Sequence, residues 1–383
     1  MDERSTINPV KPRLRRRPTH ALIDLGALRQ NYRALKRLAD DRSVMAVVKA
    51  NAYGHGLKES AQALVDEGVS YFGVGFLEEG IALRRAGIHT PILALVGAVG
   101  YQAIHFLEYD LDLTISSLAL AKKVAEEVKF FGHKARVHLK IDTGMGRIGV
   151  NWKNALEFIE KALQIPELEV VGVYSHFATA DDFDPAFTNE QIKRFNQVIK
   201  SVDKLDHNIQ HFHIANSGAL FQHPDSLLNM VRLGISLYGC QPAEETKVPI
   251  PLEPVMSLVS EVVYFKRVPQ GTPISYGCTW KAAKETTIAT VPIGYGDGYA
   301  RALSNRGEVL IRGKRYPVVG TVCMDQIMIN CGDDHVEVGD QVALIGKQGE
   351  QRISAEEIAK LLGTIPYEVT TQINTRVPRV FVG

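Results

Sequence analysis

The sequence predicts an α/β protein in which an N-terminal (β/α)8 barrel of the TIM type precedes a C-terminal, mainly antiparallel β-domain. Between residues 19 and 252, short apolar runs alternate with amphipathic segments, a rhythm typical of parallel strands joined by helices. From residue 253 to residue 383 the apolar segments are β-rich and are separated by glycine and proline. The number of units in the first part fits a β/α barrel, with a doubly wound open sheet as the alternative.

Each unit of the barrel is predicted from its own residues. A short strand at 21–25 opens the chain and is equally able to join the β-domain. Asp24 is expected to cap a helix whose apolar residues Leu28, Tyr32 and Leu35 recur at helical spacing. Further strands are predicted at 45–48, 71–76, 91–96, 112–115, 136–141, 169–174, 211–214 and 235–238. The helices between them are predicted at 58–67, 78–86, 101–107, 118–130, 152–163 and 189–203.

The β-domain is predicted as strands at 255–268, 286–291, 308–311, 316–322, 327–329 and 341–345. Ser354, with Glu357 three residues later, forms a capping box and predicts a helix at 354–362. Residues 1–18 are rich in basic residues and proline, which predicts a loose extension.

Composition limits the classes of function. A formal net charge of +1 over 383 residues gives no overall field for nucleic acid or for an anionic membrane. The four cysteines form no C-x-x-C pair, which argues against a zinc ribbon or a disulfide scaffold and favours a reducing cytoplasm. No apolar run is long enough to cross a bilayer.

The strand at 45–48 ends at Lys49, and Gly54 and Gly56 follow closely. In a barrel, ligands collect at the carboxyl ends of the strands, and the glycines let the backbone turn close to a ligand. Burial lowers the pKa of a lysine, whose neutral amine then attacks a carbonyl to form a Schiff base. The alternative, for this residue taken alone, is a lysine that extends to solvent beside an ordinary turn.

Two later strand ends also carry polar side chains. Lys140 lies in the strand at 136–141, and Arg147 follows a glycine-rich bend, where it binds a carboxylate ligand or pairs with Asp142. His176 follows the next strand as a candidate acid, base or orienting group.

Residues near the last barrel strands indicate a phosphate site. Asn216, Ser217 and Gly234 supply amide, hydroxyl and backbone N–H groups beside Arg232. His211 and His213 have a spacing that can ligate a metal, but no third ligand is evident and no metal is predicted. The glycine-rich segment 294–298 has no helix behind it and is interpreted as a structural turn.

Together these segments resemble the alanine racemase family of pyridoxal-phosphate enzymes, from about residue 18 to the C-terminus. The resemblance rests on Ala-Val-Val-Lys-Ala-Asn-Ala-Tyr-Gly-His-Gly at 46–56, Lys-Ile-Asp-Thr-Gly-Met-Gly-Arg at 140–147, Ser-His-Phe-Ala-Thr at 175–179, Ala-Asn-Ser at 215–217, Val-Arg-Leu-Gly-Ile at 231–235, Ser-Tyr-Gly at 275–277, Val-Cys-Met-Asp-Gln at 322–326, Tyr-Glu at 367–368 and Arg-Val-Pro-Arg at 376–379. It implies a barrel plus β-domain that forms a homodimer with shared active sites.

The resemblance also implies how the cofactor, pyridoxal 5'-phosphate, is held. Lys49 would bind its aldehyde, and Arg232 would face its pyridine nitrogen and disfavour protonation there. The other expected contacts to the cofactor come from Tyr53, Asn216, Ser217, Gly234, Ile235 and Tyr367.

The reaction implied is the interconversion of L-alanine and D-alanine, which supplies D-alanine for peptidoglycan. Two bases are needed, and the resemblance makes them Lys49 for the D-enantiomer and Tyr276 of the partner subunit for the L-enantiomer. Arg147 and His176 are the candidate cationic neighbours of that phenol. The remaining roles implied are substrate binding by Arg147, Met324 and Tyr295, support by Asp325, and carbamylation of Lys140.

Two other functions remain open from the sequence. A decarboxylase of related architecture also uses a Schiff-base lysine but has a cysteine near the intersubunit site, and Cys278 and Cys323 lie close to the relevant segments. A non-catalytic cofactor-binding protein would retain Lys49 without needing Tyr276 or Arg147.

Overall fold

The computed structural model describes residues 17–383. Its strands, in chain order, are β1 (His20–Asp24), β2 (Ser43–Val47), β3 (Tyr71–Val74), β4 (Ile92–Ala94), β5 (Asp112–Ile115), β6 (Ala135–Asp142), β7 (Val150–Asn151), β8 (Leu168–Tyr174), β9 (His211–His213), β10 (Met230–Leu233), β11 (Met256–Glu261), β12 (Tyr264–Val268), β13 (Pro273–Ile274), β14 (Trp280–Lys281), β15 (Thr286–Val291), β16 (Glu308–Ile311), β17 (Lys314–Pro317), β18 (Ile327–Gly332), β19 (Gln341–Gln348), β20 (Gln351–Ile353) and β21 (Arg379–Val382).

The α-helices are Leu25–Ala39, Leu57–Asp66, Leu77–Arg85, Ala103–Glu108, Leu118–Val128, Ala155–Leu163, Ala186–Val202, Ser217–Gln222, Ala355–Leu362 and Pro366–Gln372. Short 3-10 turns occupy Gly100–Gln102, Trp152–Asn154, Pro224–Ser226, Ile235–Tyr238, Tyr276–Cys278, Tyr295–Asp297 and Arg301–Leu303. None of the helices in residues 17–383 combines the length and the apolar character that a bilayer span requires.

The described chain divides into two compact units. The first contains Ile23–Met256, Gly363–Thr371 and Phe381–Gly383, and the second contains the rest of the described residues. The expected basic extension lies outside the described residues as far as residue 16. Arg17, expected within that extension, instead pairs with the buried Asp297 of the second unit through a 2.6 Å contact from Nη2 to Oδ2.

The first unit is a nearly closed parallel barrel, as predicted. Its eight strands pair in the order β10, β2, β3, β4, β5, β6, β8, β9. Strands of this kind are covered on both faces, and the side chains of Val44 to Val47 in β2 are accordingly all buried. Asp24 caps the first helix, as expected, because its Oδ1 accepts a hydrogen bond from the N–H of Ala27 (2.9 Å).

The strand predicted at 235–238 is wrong. The last barrel strand is β10, and Ile235–Tyr238 is a buried 3-10 turn that ends at Gly239 with a φ of 82°. A Cβ at Gly239 would lie 2.0 Å from the carbonyl oxygen of Glu253, so only glycine fits there. A short apolar run resembles a buried strand in sequence, and periodicity does not separate it from a buried turn.

The second unit is built from antiparallel pairs. Its largest sheet has the order β17, β16, β19, β11, β1, β21, with β20 beside β19, and β12, β15 and β18 form a second sheet. The predicted strand at 255–268 is interrupted and forms β11 and β12 in different sheets. Ser354 accepts a bond from the N–H of Glu357 (3.2 Å) at the start of the helix Ala355–Leu362, as the capping pattern predicted.

Candidate active site

Lys49 begins a left-handed turn at the carboxyl end of β2. Ala50, Asn51, Ala52 and Tyr53 all have φ between 52° and 56°, a conformation that costs about 1–2 kcal/mol per residue for side chains other than glycine. Such strain persists only where surrounding contacts fix the backbone, and it is concentrated at functional sites. The sequence indicated a tight turn at Gly54 and Gly56 but gave no signal for this conformation before them.

Glu79 fixes the start of this turn, a role that was not predicted from the sequence. Its Oε1 accepts the N–H of Ala50 (2.6 Å), and its Oε2 accepts the N–H of Gly75 (2.7 Å) at the end of β3. The carboxylate therefore ties the turn after Lys49 to the neighbouring strand. The sequence signal available for Glu79 was its place three residues after Phe76, which precedes the helix Leu77–Arg85. A glutamate at this place accepts backbone N–H groups at the start of a helix.

The surroundings of Lys49 favour its neutral amine. Burial lowers the pKa of Lys49, the Arg147 and Arg232 guanidiniums lower it further, and Glu79 opposes them. A lysine in this state is able to attack a carbonyl or to accept a proton. The geometry thus favours the reactive interpretation of Lys49 over a solvated side chain.

A small cradle lies between the turn and the last barrel strands. The Oγ of Ser217 accepts the N–H of Gly234 (3.0 Å), and a Cβ at Gly234 would lie 2.7 Å from the hydroxyl of Tyr53. The Tyr53 ring is 5.8 Å from that of Tyr367, and burial raises the pKa of both phenols, which keeps them protonated donors. Asn216 caps the helix Ser217–Gln222 through the N–H of Ala219 (2.9 Å) and so fixes Ser217.

Arg232 lies in β10 with only 4% of its surface exposed. It donates to the Nδ1 of His213 (2.8 Å), the Nδ1 of His176 (3.1 Å) and the carbonyl oxygens of Ser175 (2.9 Å) and Ile214 (3.0 Å). Burial lowers the pKa of Arg232 to about 10, so the guanidinium stays charged at neutral pH. His213, which the sequence left as a weak metal candidate, is thus a hydrogen-bond acceptor for Arg232.

The surroundings of Lys140 and His176 favour the uncharged form of each side chain. Burial lowers the pKa of Lys140 strongly, Arg232 and Arg147 add to the effect, and its Nζ lies 4.3 Å from the centre of the Tyr174 ring. Burial and Arg232 likewise lower the pKa of His176. These surroundings therefore disfavour a cationic His176, one of the two expected cationic neighbours for a phenol.

The bend before Arg147 is held by Asp142. One carboxylate oxygen of Asp142 accepts the N–H groups of Gly144 (2.9 Å) and Gly146 (3.1 Å). That oxygen therefore stabilises the backbone of the bend. Arg147 follows this bend and lines a cavity of the first unit.

This cavity has a volume of about 430 Å³, and its lining includes Lys49, Arg147 and Arg232. It brings together all the predicted site residues that lie in the first unit, namely Lys49, Tyr53, Lys140, Arg147, His176, Asn216, Ser217, Arg232, Gly234, Ile235 and Tyr367. Among residues 17–383, the lining includes lysine and arginine side chains but no aspartate or glutamate. This donor set fits an anionic ligand that carries a phosphate and a carbonyl group.

The other predicted site residues belong to the second unit. Tyr276 lies on a 3-10 turn after Ser275, whose φ is 67°, and 73% of its surface is exposed. Tyr295 and Met324 lie on adjoining loops, because the N–H of Tyr295 donates to the carbonyl of Cys323 (3.0 Å). Asp325 pairs with Arg376 (2.6 Å from Oδ1 to Nη2).

Comparison with known proteins agrees with this architecture. The family models for the N-terminal and C-terminal domains of alanine racemase match residues 23–242 and 255–381. The chain is 45% identical to an alanine racemase of Carboxydothermus hydrogenoformans, over 96% of this chain and 100% of that protein. It is also 45% identical to alanine racemase 2 of Caldanaerobacter subterraneus, over 96% and 95% of the two chains.

A solved structure shows the same likeness in three dimensions. The crystal structure of an alanine racemase from Bacillus anthracis with bound L-Ala-P superposes with a TM-score of 0.91 at 38% identity, covering 96% of this chain and 95% of that one. The barrel, the second unit and these likenesses define an isomerase of the racemase class. Within that class, the chain belongs to the alanine racemase family.

Proposed function

We propose that this chain interconverts L-alanine and D-alanine with pyridoxal 5'-phosphate as its cofactor. The observation that carries the proposal is the barrel cavity, in which Lys49 has a lowered pKa and shares the lining with cationic and phenolic side chains. The proposed role is the supply of D-alanine for peptidoglycan in the cytoplasm.

The residues of the cavity fit this cofactor. Lys49 would hold the aldehyde, and Arg232 would face the pyridine nitrogen. The phosphate would lie in the cradle of Tyr53, Ser217, Gly234, Ile235 and Tyr367, where a Cβ at Gly234 would take up space beside the Tyr53 hydroxyl. When bound, the cofactor withdraws electrons from the α-carbon of the amino acid and so acidifies its C–H bond.

Racemisation requires a proton to leave one face of the α-carbon and to return on the other, which calls for two groups. Lys49 is proposed to act on the proton of the D-enantiomer, since the lowered pKa of its amine favours the neutral form, which is the form that accepts a proton. Arg147 is proposed to orient the substrate carboxylate and to favour the phenolate of the second base.

Tyr276 is proposed as that second base, supplied by a partner copy of the chain in a homodimer. In a single chain, Tyr276 is 73% exposed, Met324 51% and Tyr295 42%. A base that stands in water is neither oriented nor desolvated, so these exposed side chains suit a surface that a second copy covers. Tyr295 and Met324 would then restrict the substrate to a side chain about the size of a methyl group, with the carboxylate near the backbone of Met324 and Asp325 in support.

Lys140 is proposed to carry a carbamate. Its buried amine, whose pKa is strongly lowered, would add in its neutral form to carbon dioxide, forming an N–C bond and releasing one proton, and the resulting anion would face Arg147 and Arg232. Intact-mass measurement in bicarbonate buffer should detect the addition, and an unmodified amine under those conditions would contradict this part of the proposal.

The reaction is tested by incubating the purified protein with L-alanine, and separately with L-serine, in deuterated water. Chiral chromatography with mass spectrometry should detect D-alanine that carries deuterium at the α-carbon. Release of carbon dioxide without a D-product would instead indicate the decarboxylase. The rate with L-serine would measure how strongly the pocket discriminates against one additional hydroxyl group.

Two variants test the bases, each with a matched control. Lys49→Ala should abolish borohydride-dependent attachment of the cofactor to the chain, whereas Lys58→Ala, on the exposed side of the following helix, should leave it intact. Tyr276→Phe should retain the attachment and lose most exchange from L-alanine, whereas Tyr264→Phe, at another exposed tyrosine of the second unit, should not. Undiminished racemisation by Tyr276→Phe would refute the assignment of two bases.

A further inference from the structure

The hydrogen bonds of Arg232 continue across the interior of the barrel. Beyond His213, the Nε2 of His213 lies 3.0 Å from the Nδ1 of His138, and the Nε2 of His138 lies 3.2 Å from the hydroxyl of Tyr71. The Tyr71 hydroxyl in turn donates to Asp112. Five strands thus contribute one residue each to a continuous path from a guanidinium to a carboxylate.

The chemistry of the two ends fixes the direction of every bond in the path. An arginine has no acceptor, so the Nδ1 of His213 must carry a lone pair, and the proton of this ring is on Nε2. That proton requires a lone pair on the Nδ1 of His138, which places the second ring's proton on Nε2 and directs it toward Tyr71. Both imidazoles are therefore neutral, and all donors point from Arg232 toward Asp112.

The path is buried and its far end is ionised. His138 and His213 are completely buried, and Asp112 is 2% exposed. Burial raises the pKa of Asp112, but hydrogen bonds from His138 and Arg136, together with the charge of Arg136, outweigh burial and lower that pKa overall. Arg136, which is partly exposed, donates to Asp112 through Nε (2.9 Å). In a low-dielectric interior, bonds that all run in one direction polarise and strengthen one another.

The barrel makes room for this path. A Cβ at Gly172 of β8 would lie 2.1 Å from the Nδ1 of His138, so only glycine allows the ring to occupy its place. The pairing of β6 with β8 shifts by one residue at His138, which sets this residue opposite Gly172. On the other side, the His213 ring stacks on Tyr174 with its centre 4.9 Å away and 7° between the planes. His211 stacks on His138 at 5.9 Å.

We propose that Asp112 is a positioning residue for Arg232, acting through Tyr71, His138 and His213. We call this path of hydrogen bonds from Arg232 to Asp112 the relay. The carboxylate fixes the direction of the relay, so that His213 always presents a lone pair to the guanidinium. With the opposite direction, an N–H of His213 would face an N–H of Arg232, and the guanidinium would be displaced. The consequence for catalysis rests on the proposed function, in which Arg232 faces the pyridine nitrogen.

The direction of the relay is measurable without an activity assay. In holoenzyme labelled with ¹⁵N-histidine, long-range ¹H–¹⁵N spectra should show His138 and His213 as neutral rings protonated on Nε2 alone, with the signals of His138 assigned through His138→Gln. A ring protonated on Nδ1, or on both nitrogens, would overturn the relay and leave the proposed function standing. The expected tautomers in a protein without racemase activity would support the relay and refute the proposed function.

Variants of His138 test whether the relay positions Arg232. Glutamine retains one acceptor and one donor, whereas leucine retains neither. His138→Leu should lower kcat about ten- to a hundredfold with little change in KM for alanine, and should change the absorption spectrum of the bound cofactor. His138→Gln should cause a much smaller decrease in kcat. Equal losses in both variants, with an unchanged tautomer at His213, would refute the positioning role.

The carboxylate itself is tested by Asp112→Asn. The expected result is a mixture of His213 tautomers and a lower kcat, whereas Asp110→Asn, at an exposed aspartate two residues away, should change neither. Gly172→Ala adds only a methyl group and should displace the His138 ring with the same effect on His213. A wild-type His213 signal in both Asp112→Asn and Gly172→Ala would overturn the proposal.

Discussion

The left-handed turn after Lys49 makes an unusual prediction for Ala50→Gly. Ala50 has φ 52° and ψ 51° and is exposed, so its methyl group contributes strain and little packing. Glycine removes the penalty of about 1–2 kcal/mol for this conformation. It also adds freedom to the unfolded chain, which costs about 0.4–1 kcal/mol. The free energy of unfolding should therefore rise by roughly 0.5–1 kcal/mol.

The matched control is Ala34→Gly, in the middle of the right-handed helix Leu25–Ala39. There the same change should lower the free energy of unfolding by about 1 kcal/mol. Urea unfolding followed by circular dichroism, at equal protein and cofactor concentrations, measures both variants. Because the turn also directs the Lys49 side chain, kcat of Ala50→Gly should fall while stability rises. Destabilisation of Ala50→Gly by as much as Ala34→Gly would refute the strain argument.

Three further predictions follow from the cavity and its surroundings. Glu79→Gln should lower the pKa of Lys49 further, because the carboxylate opposes the effect of burial; competitive amine labelling with mass spectrometry measures it. Gly234→Ala should weaken binding of pyridoxal phosphate about tenfold or more, measured by equilibrium titration, because the methyl group meets the Tyr53 hydroxyl at 2.7 Å. Burial raises the pKa of Asp181 from 3.8 to about 6, so its folded form retains a proton that its unfolded form has lost, and stability should fall as pH rises from about 4 to 6. Asp181→Asn should remove that slope and stabilise the protein at pH 8 by on the order of 2 kcal/mol, measured by urea unfolding at several pH values.

Exposed neighbours supply the controls. Glu78→Gln should leave the labelling of Lys49 unchanged, and Asp184→Asn should keep the pH slope. An unchanged pKa of Lys49 in Glu79→Gln, or wild-type cofactor affinity in Gly234→Ala, would contradict the geometry described for those residues. A pH slope that survives in Asp181→Asn would assign the titration to another group.

The barrel could be predicted from sequence because each of its units signals itself locally. The strand β5 lies at its predicted bounds, and Asp24 caps the helix that its position indicated. The same local reasoning failed at Ile235–Tyr238, where a buried turn has the apolar composition of a strand.

The site could be predicted only in part. Lys49 and Ser217 stand at strand ends and beside glycines, where the topology of a barrel itself indicates a ligand. The left-handed turn lacked such a signal because Ala50 and Ala52 have side chains that usually avoid positive φ. The path from Arg232 to Asp112 joins residues of separate strands, and its direction follows from hydrogen-bond donors and acceptors that only three dimensions bring together.

The exposure of Tyr276 in the single chain has a genetic consequence. In the proposed dimer, each site takes Lys49 from one copy and Tyr276 from the other. A Lys49→Ala allele and a Tyr276→Phe allele would then each be defective alone, yet a mixed dimer would contain one site with both wild-type residues. With random pairing, half of the dimers are mixed, so co-expression should restore about a quarter of wild-type activity per chain. Two alleles of the same gene, each defective when expressed alone, would thus complement each other.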